Sequence, residues 1–325
     1  MRKVIIDTYG SDRGAESIIR GAASAVIEDS SFNAVLVGDE PLCARIMNEC
    51  GVPCDRYSVI HTTDFISNNE PPVCIYGGRD SSSMAIAFET AKSNDECVGM
   101  VSPGNTGALL VGSMCRLGLV GSIRQPALAS VLLFADNKYV CIADCGANID
   151  CKAKELLGFA KMSDALMKSM YNVKEPRVGL LSVGREDGKG NTLTKEAFAL
   201  LKESGLNFVG NVEASDAVSD YTDIIVCDGF SGNVLLKTIE SIGKYSAKVA
   251  AAAVENGEES SRVMVEVKEH FDFNARGGAI FLGTSKPLVK MHGAAEERTV
   301  VSCIKLVLSL DDGDFAGKVN KAMTV

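Results

Sequence analysis

Residues 98–107 read Val-Gly-Met-Val-Ser-Pro-Gly-Asn-Thr-Gly, and an apolar run, Ala-Leu-Leu-Val-Gly-Ser-Met, follows at 108–114. A short apolar run, broken by a Pro/Gly turn and continued as an apolar helical stretch, makes one strand-loop-helix unit. The unit recurs along the chain. Val4, Ile5 and Ile6 run into Asp7-Thr8-Tyr9-Gly10-Ser11-Asp12, and Ile18, Ile19, Ala22, Ala23, Val26 and Ile27 then return at helical spacing. Further apolar runs at 34–37, 140–143, 178–183 and 224–227 end at Gly38-Asp39, Asp144-Cys145-Gly146-Ala147-Asn148, Gly184 and Asp228-Gly229. Such alternation predicts an α/β chain with a largely parallel sheet covered by helices on both faces. Ligands in such sheets bind beyond the carboxyl ends of the strands, so the polar loops are expected to converge on one site.

Composition narrows the class. The 325 residues are 46% hydrophobic and 23% charged, an ordinary globular balance that excludes a disordered chain. A net charge of -9 argues against bulk nucleic-acid binding, which needs surplus cations, but leaves room for a local anion pocket. Asp7 stops the apolar run that follows Met1-Arg2-Lys3, so no signal peptide is expected, and the apolar stretch at 127–135 is far short of the ~20 residues a membrane helix needs. Eleven scattered cysteines without a Cys-x-x-Cys pair read as reduced thiols of a cytoplasmic protein. His61, His270 and His292 do not fall at ligand spacing with them, so no metal and no cofactor is expected. An internal boundary is expected near residue 120, where Gly118, Gly121 and Pro126 interrupt the helical pattern; residues 256–278 stand apart as an insertion.

Four loops and one histidine could carry chemistry. In Glu186-Asp187-Gly188-Lys189-Gly190-Asn191, glycines flank a lysine ahead of a helix starting near Thr192, so backbone amides, a helix end and an ammonium could meet an anion. The spacing is not that of a nucleotide P-loop, because Gly190 stands where Ser or Thr is required. Taken singly it reads as a solvated turn. Asn105 and Thr106 could hold phosphate or an oxyanion where strand gives way to helix, though a plain helix cap explains them almost as well. Asp228-Gly229-Phe230-Ser231-Gly232-Asn233 lacks the spacing of a nucleophile elbow, which leaves Ser231 a poor nucleophile and Asn233 a better donor. Arg79 with Ser81, Ser82 and Ser83 offers an anion contact or a surface turn. His292 follows a β-like run from Leu288; one histidine in such a place is more often structural than catalytic.

Together these segments resemble the acyl-ACP:phosphate acyltransferases of bacterial phospholipid synthesis. The resemblance rests on Asp7 through Asp12, Ser102 through Ala108, Asp144 through Asp150, Pro176 through Leu181, Lys189 through Asn191, Cys227 through Asn233, Gly277 through Gly283 and His292-Gly293, in register over nearly the whole length. Tyr9, Ser11 and Pro103 depart from the family pattern, and Tyr76-Gly77-Gly78-Arg79 replaces a segment richer in Arg and Lys. The resemblance implies a three-layer α/β/α sandwich around a large mixed sheet, like that of the isocitrate and isopropylmalate dehydrogenases. It also implies one catalytic unit of two interlocked halves over 1–325, with 256–278 as an inserted tip, and a homodimer.

The implied reaction converts long-chain acyl-ACP and inorganic phosphate to acyl phosphate and free acyl carrier protein, with no metal, cofactor or nucleic acid. Lys189 orients phosphate, Asn233 steadies the thioester oxygen, and His292 or Lys189 protonates the leaving sulfur. Asp12, Arg79, Ser82, Gly104, Asn105, Thr106, Gly107, Asn148, Gly190, Asn191, Asp228 and Gly229 complete the expected substrate- and phosphate-binding set. Val263, Met264, Val267 and Phe271 could touch the inner face of the membrane, or a membrane acyltransferase could dock there. Two other readings stay open: a phosphate acetyl- or butyryltransferase acting on acyl-CoA, and an inactive acyl-binding scaffold. A nicotinamide dehydrogenase of the same fold fits the motifs least.

Overall fold

The computed structural model describes residues 1–134, 138–255 and 277–324. The expected tip at 256–278, with His270 and the apolar residues Val263, Met264, Val267 and Phe271, lies outside the described residues up to 276. The chain forms two compact units, Met1–Ala127 with Gly277–Val325, and Leu128–Arg276.

In the first unit, strands β1 (Arg2–Asp7), β2 (Phe32–Gly38), β3 (Tyr57–His61) and β4 (Cys97–Ser102) are joined by β10 (Ala279–Leu282) and β11 (Leu288–Lys290) in the order β3-β2-β1-β4-β11-β10. All pairings are parallel except β10 with β11, so the sheet is mixed, as expected. Val4, Ile5 and Ile6 are each 0% exposed because helices cover both faces, which explains an unbroken apolar run in place of alternation. Helices α1 (Ala15–Glu28), α2 (Glu40–Glu49) and α8 (Glu297–Asp312) pack on one face, and α3 (Ser83–Ser93) and α4 (Thr106–Gly112) on the other. A last helix, α9 (Phe315–Thr324), packs on α8. α1 follows the sequence pattern closely: Ile18, Ile19, Ala22, Ala23 and Val26 are buried along one stripe, while Arg20 pairs with Glu16 outside.

In the second unit, β5 (Ala127–Phe134), β6 (Lys138–Ala143), β7 (Val178–Leu181), β8 (Phe208–Val212) and β9 (Ile224–Val226) lie in the order β5-β6-β9-β7-β8. β5 runs antiparallel to β6 and the rest pair in parallel. α5 (Ala153–Met170) and α6 (Thr192–Lys202) pack together and on the sheet, and α7 (Gly229–Glu255) packs on β6. Three loops therefore leave neighbouring parallel strands β6, β9 and β7 at one carboxyl edge: 144–152, 227–228 and 182–191.

One sequence expectation shifts. The boundary falls at Ala127 and not near 120, because the intervening segment is still stitched to the first unit: the Val120 amide donates to Gly283 O at 2.9 Å and the Ser285 amide to Gly118 O at 2.9 Å. α7 starts at Gly229, where the Asp228 carboxylate accepts the Ser231 amide (2.8 Å) and hydroxyl (3.0 Å). No helix among the described residues is long and apolar enough to cross a membrane.

Candidate active site

At the carboxyl edge of the first unit, the loops after β1, β4 and β11 are knitted together. Asp7, 1% exposed, accepts the Ser102 hydroxyl at 2.7 Å and the Tyr9 amide at 3.2 Å, and Ser102 Oγ in turn accepts the Gly104 amide at 3.0 Å. Lys290 Nζ donates to Pro103 O at 2.8 Å and Met291 O at 2.6 Å. The Asp12 amide and the Ser11 hydroxyl both reach Gly293 O, at 2.8 and 3.1 Å. Gly10 has φ +98° and lies so close to Gly104 that a Cβ would stand 2.6 Å from Gly104 Cα, so only glycine serves there. Tyr9, a departure from the family pattern, stacks on Phe65 at 5.1 Å.

Burial pushes the Asp7 carboxyl above its ordinary value of 3.8, against the opposing pull of its hydrogen bonds to Ser102, Ser83 and the Tyr9 amide and of the Lys290 charge. The folded state therefore favours protonated Asp7. Its contribution to stability is complete below the unfolded pKa and is lost as pH rises through the raised folded value. Relative to the parent protein, Asp7→Asn is expected to gain stability as pH rises from the ordinary value of 3.8 through the raised folded value. Urea melts across that range check this; a gap that stayed constant with pH would contradict it.

Several residues assigned to the anion make hydrogen bonds within the fold. The Arg79 guanidinium donates to Glu70, to Asp64 Oδ1 at 2.7 Å and to Phe65 O at 2.6 Å, while its Nε is buried without a hydrogen-bond partner among the described residues. Ser82, 0% exposed, caps α3 and donates to Arg79 O at 2.6 Å. Asn105 caps α4 by accepting the Ala108 amide at 3.0 Å and donates to Asn68 O at 3.4 Å. The Gly104 amide is used by Ser102, and Gly107 packs against Pro72. Thr106 stands half-buried at the start of α4. His292 Nδ1 accepts the Ala294 amide at 3.1 Å, so the neutral ring carries its proton on Nε2.

At the carboxyl edge of the second unit the organiser is Asp144, 0% exposed. Its carboxylate accepts the amides of Gly146 (2.7 Å), Ala147 (2.8 Å), Asn148 (3.2 Å) and Leu128 (3.4 Å), together with the Asn148 side chain. Burial nevertheless keeps its carboxyl above the usual range. The loop 144–148 meets the start of α7 through the Gly229 amide, which donates to Asn148 O at 2.6 Å. Asn148 and Gly229, assigned to the ligand by sequence, thus join loop to loop, and Asp228 caps α7.

Asn233 does face outward. It sits exposed on the first turns of α7, with its side chain over Gly146, and has no hydrogen-bond partner among the described residues. Lys189 is likewise exposed, its stem lying over Gly184, and makes no ion pair among the described residues. Gly190 follows with φ +108°, and Asn191 caps α6 through the Thr194 amide at 2.9 Å. The thiols nearby are not nucleophiles: burial holds Cys145 and Cys227 well above the ordinary range and Cys151 up to about 12.

Sequence reasoning picked out Lys189 and Asn233 and overlooked two neighbours. Ser182 Oγ and Asn211 Oδ1 are buried at the ends of β7 and β8 without a hydrogen-bond partner among the described residues. Asn211 lies in Phe-Val-Gly-Asn-Val, which reads as a plain strand and carries no motif signal.

With this geometry in view, similarity to known proteins can be placed. The family described as fatty acid synthesis protein matches residues 2–318. A phosphate acyltransferase of Clostridioides difficile (strain 630) is 32% identical over 332 residues, covering 98% of this chain and 95% of the relative. A phosphate acyltransferase of Geobacillus thermodenitrificans (strain NG80-2) is 35% identical over 332 residues, covering 97% of each. Among solved structures, a phosphotransacetylase from Streptococcus pyogenes superposes with a TM-score of 0.67 at 17% identity, covering 96% of this chain and 94% of that one. A branched-chain phosphotransacylase from Enterococcus faecalis V583 gives 0.63 at 13% identity, covering 96% and 99%. At such identities the structural matches establish the α/β/α mixed-sheet fold.

Proposed function

This chain belongs to the phosphate acyltransferase family, and from that premise we propose that it moves a long-chain acyl group from acyl-ACP to inorganic phosphate. The observation that carries the reading lies within the second unit. β9 runs between β6 and β7 in the sheet, so the loop bearing Lys189 and the helix start bearing Asn233 leave adjacent parallel strands at one edge. An exposed cation and an exposed carboxamide are thereby carried at the same edge of one sheet.

In the proposed reaction a phosphate oxygen held by Lys189 attacks the thioester carbon. The carbonyl oxygen becomes an oxyanion next to the Asn233 carboxamide and the amides at the start of α6 and α7. Collapse breaks the carbon–sulfur bond, and the departing thiolate takes a proton, a role proposed for Lys189. Acyl phosphate and free carrier protein result. No acyl-enzyme is required, in keeping with protonated, buried thiols at the rim.

The first test is acyl phosphate formation from long-chain acyl-ACP with and without orthophosphate, set beside short-chain acyl-CoA. Phosphate-dependent product from acyl-ACP alone supports the reading; product from acyl-CoA alone selects the acetyl- or butyryltransferase alternative, and none from either selects the scaffold. Lys189→Ala is expected to raise KM for phosphate about 10- to 100-fold, the size of one lost charge-assisted hydrogen bond. An unchanged phosphate KM would remove Lys189 from the site.

The reading also includes a homodimer at work in the cytoplasm, peripheral to the inner face of the membrane. It is supported by α7, where Phe230, Val234, Ile242, Tyr245 and Val249 are exposed at helical spacing. Sedimentation measures the dimer, and flotation with lipid vesicles measures the membrane contact.

A further inference from the structure

The lysine loop rests on a buried polar floor. Asn211, 1% exposed at the end of β8, donates from Nδ2 to Glu186 O at 2.8 Å. The same carbonyl oxygen accepts the Lys189 amide at 2.9 Å, closing the turn that carries the lysine. One backbone atom therefore receives both Asn211 and Lys189, and the position of Lys189 follows from that of Asn211.

Ser182 supports the other flank of the loop. Leu180 pairs with Asn211 across β7 and β8, so Ser182, two residues on, leaves the same face of the sheet as Asn211. Its Oγ lies 3.0 Å from where a Cβ on Gly190 would stand. Neither Ser182 Oγ nor Asn211 Oδ1 has a hydrogen-bond partner among the described residues. Buried polar atoms are rarely left unmatched, and a groove of purely structural asparagines would satisfy both ends of each carboxamide.

We propose that Asn211 is a positioning residue of the phosphate acyltransfer reaction, setting the place of Lys189 over the phosphate through the shared Glu186 carbonyl, with Ser182 as the second floor group. The inference rests on the assignment of Lys189 to phosphate. It names Asn211 as a residue that touches no substrate and acts only through the loop above it.

A double-mutant cycle on the full chain tests it. Asn211→Ala is expected to lower kcat/KM for phosphate about 10- to 100-fold, as displacement of a catalytic group by about 1 Å does, while KM for the acyl donor stays within about twofold. In a Lys189→Ala background the same substitution is expected to add nothing. Asn211→Asp keeps the side chain's shape and loses the donor, and is expected to reproduce the loss; it serves where Asn211→Ala does not fold, with thermal melts reporting folding. Losses that multiply independently in the double variant, equal effects on both substrates, or full activity in Asn211→Asp would each overturn the proposal. Should Lys189→Ala itself leave the phosphate KM unchanged, the site assignment fails first, and the cycle shows which of the two has failed.

Discussion

Asn233→Ala is expected to slow acyl transfer to phosphate by about 100- to 1,000-fold in kcat, with little change in KM for either substrate. Asn233 projects from the first turns of α7, over Gly146, with its carboxamide not engaged by any described residue. A donor of this kind contributes most when charge develops, because the ground-state thioester oxygen is a weak acceptor and the tetrahedral oxyanion a strong one. The loss should therefore appear in kcat and leave ground-state binding alone. Asn233→Asp should be at least as slow, since it sets a negative charge against the oxyanion. Steady-state kinetics with orthophosphate varied at saturating acyl donor make the measurement. A large rise in KM with kcat intact would move Asn233 from transition-state stabiliser to binding contact.

The second large effect is on the fold. Gly232→Ala would place a methyl group onto Asp144 O and 2.7 Å from Cys227 Sγ. Neither neighbour can move freely. The Asp144 amide donates to Cys227 O at 2.9 Å, and the Asp144 side chain holds the turn that follows β6. The helix start must separate from the strand end, carrying Asn233 with it. Overpacking against backbone costs about 3 kcal/mol or more, which for a chain of this size lowers Tm by several degrees. Activity should fall further than stability does, because the displaced segment bears Asn233. Calorimetry and kinetics on the same preparation separate the two, and a variant with parental Tm and kcat would show that α7 does not approach β6 so closely.

Much of the architecture was legible in the sequence. Runs such as Val4-Ile5-Ile6 and the stripe from Ile18 to Val26 are local signals, because burial on a strand or on one helix face repeats with a fixed period. The glycine-rich loops at strand ends announced where chemistry belongs in a parallel sheet, and Lys189 and Asn233 were named from them. Arg79, Ser82, Asn105 and Asn148 were named by the same reasoning and have partners within the fold. Nothing in their spacing distinguishes a polar side chain facing a ligand from one engaged by Glu70, Arg79 O, the Ala108 amide or Asp144.

The sequence by itself determined the alternation of strand and helix, the α/β class and the set of loops from which the candidate site is drawn. The tertiary structure alone decided which polar groups in those loops are engaged and which are exposed. It also decided that Ser102, 95 positions from Asp7, would bond to it, and that Asn211 would share the Glu186 carbonyl with Lys189. The reason is physical: periodicity and turn propensity act between near neighbours in the chain, whereas a buried hydrogen bond requires a partner that only the packing of distant strands brings within 3 Å.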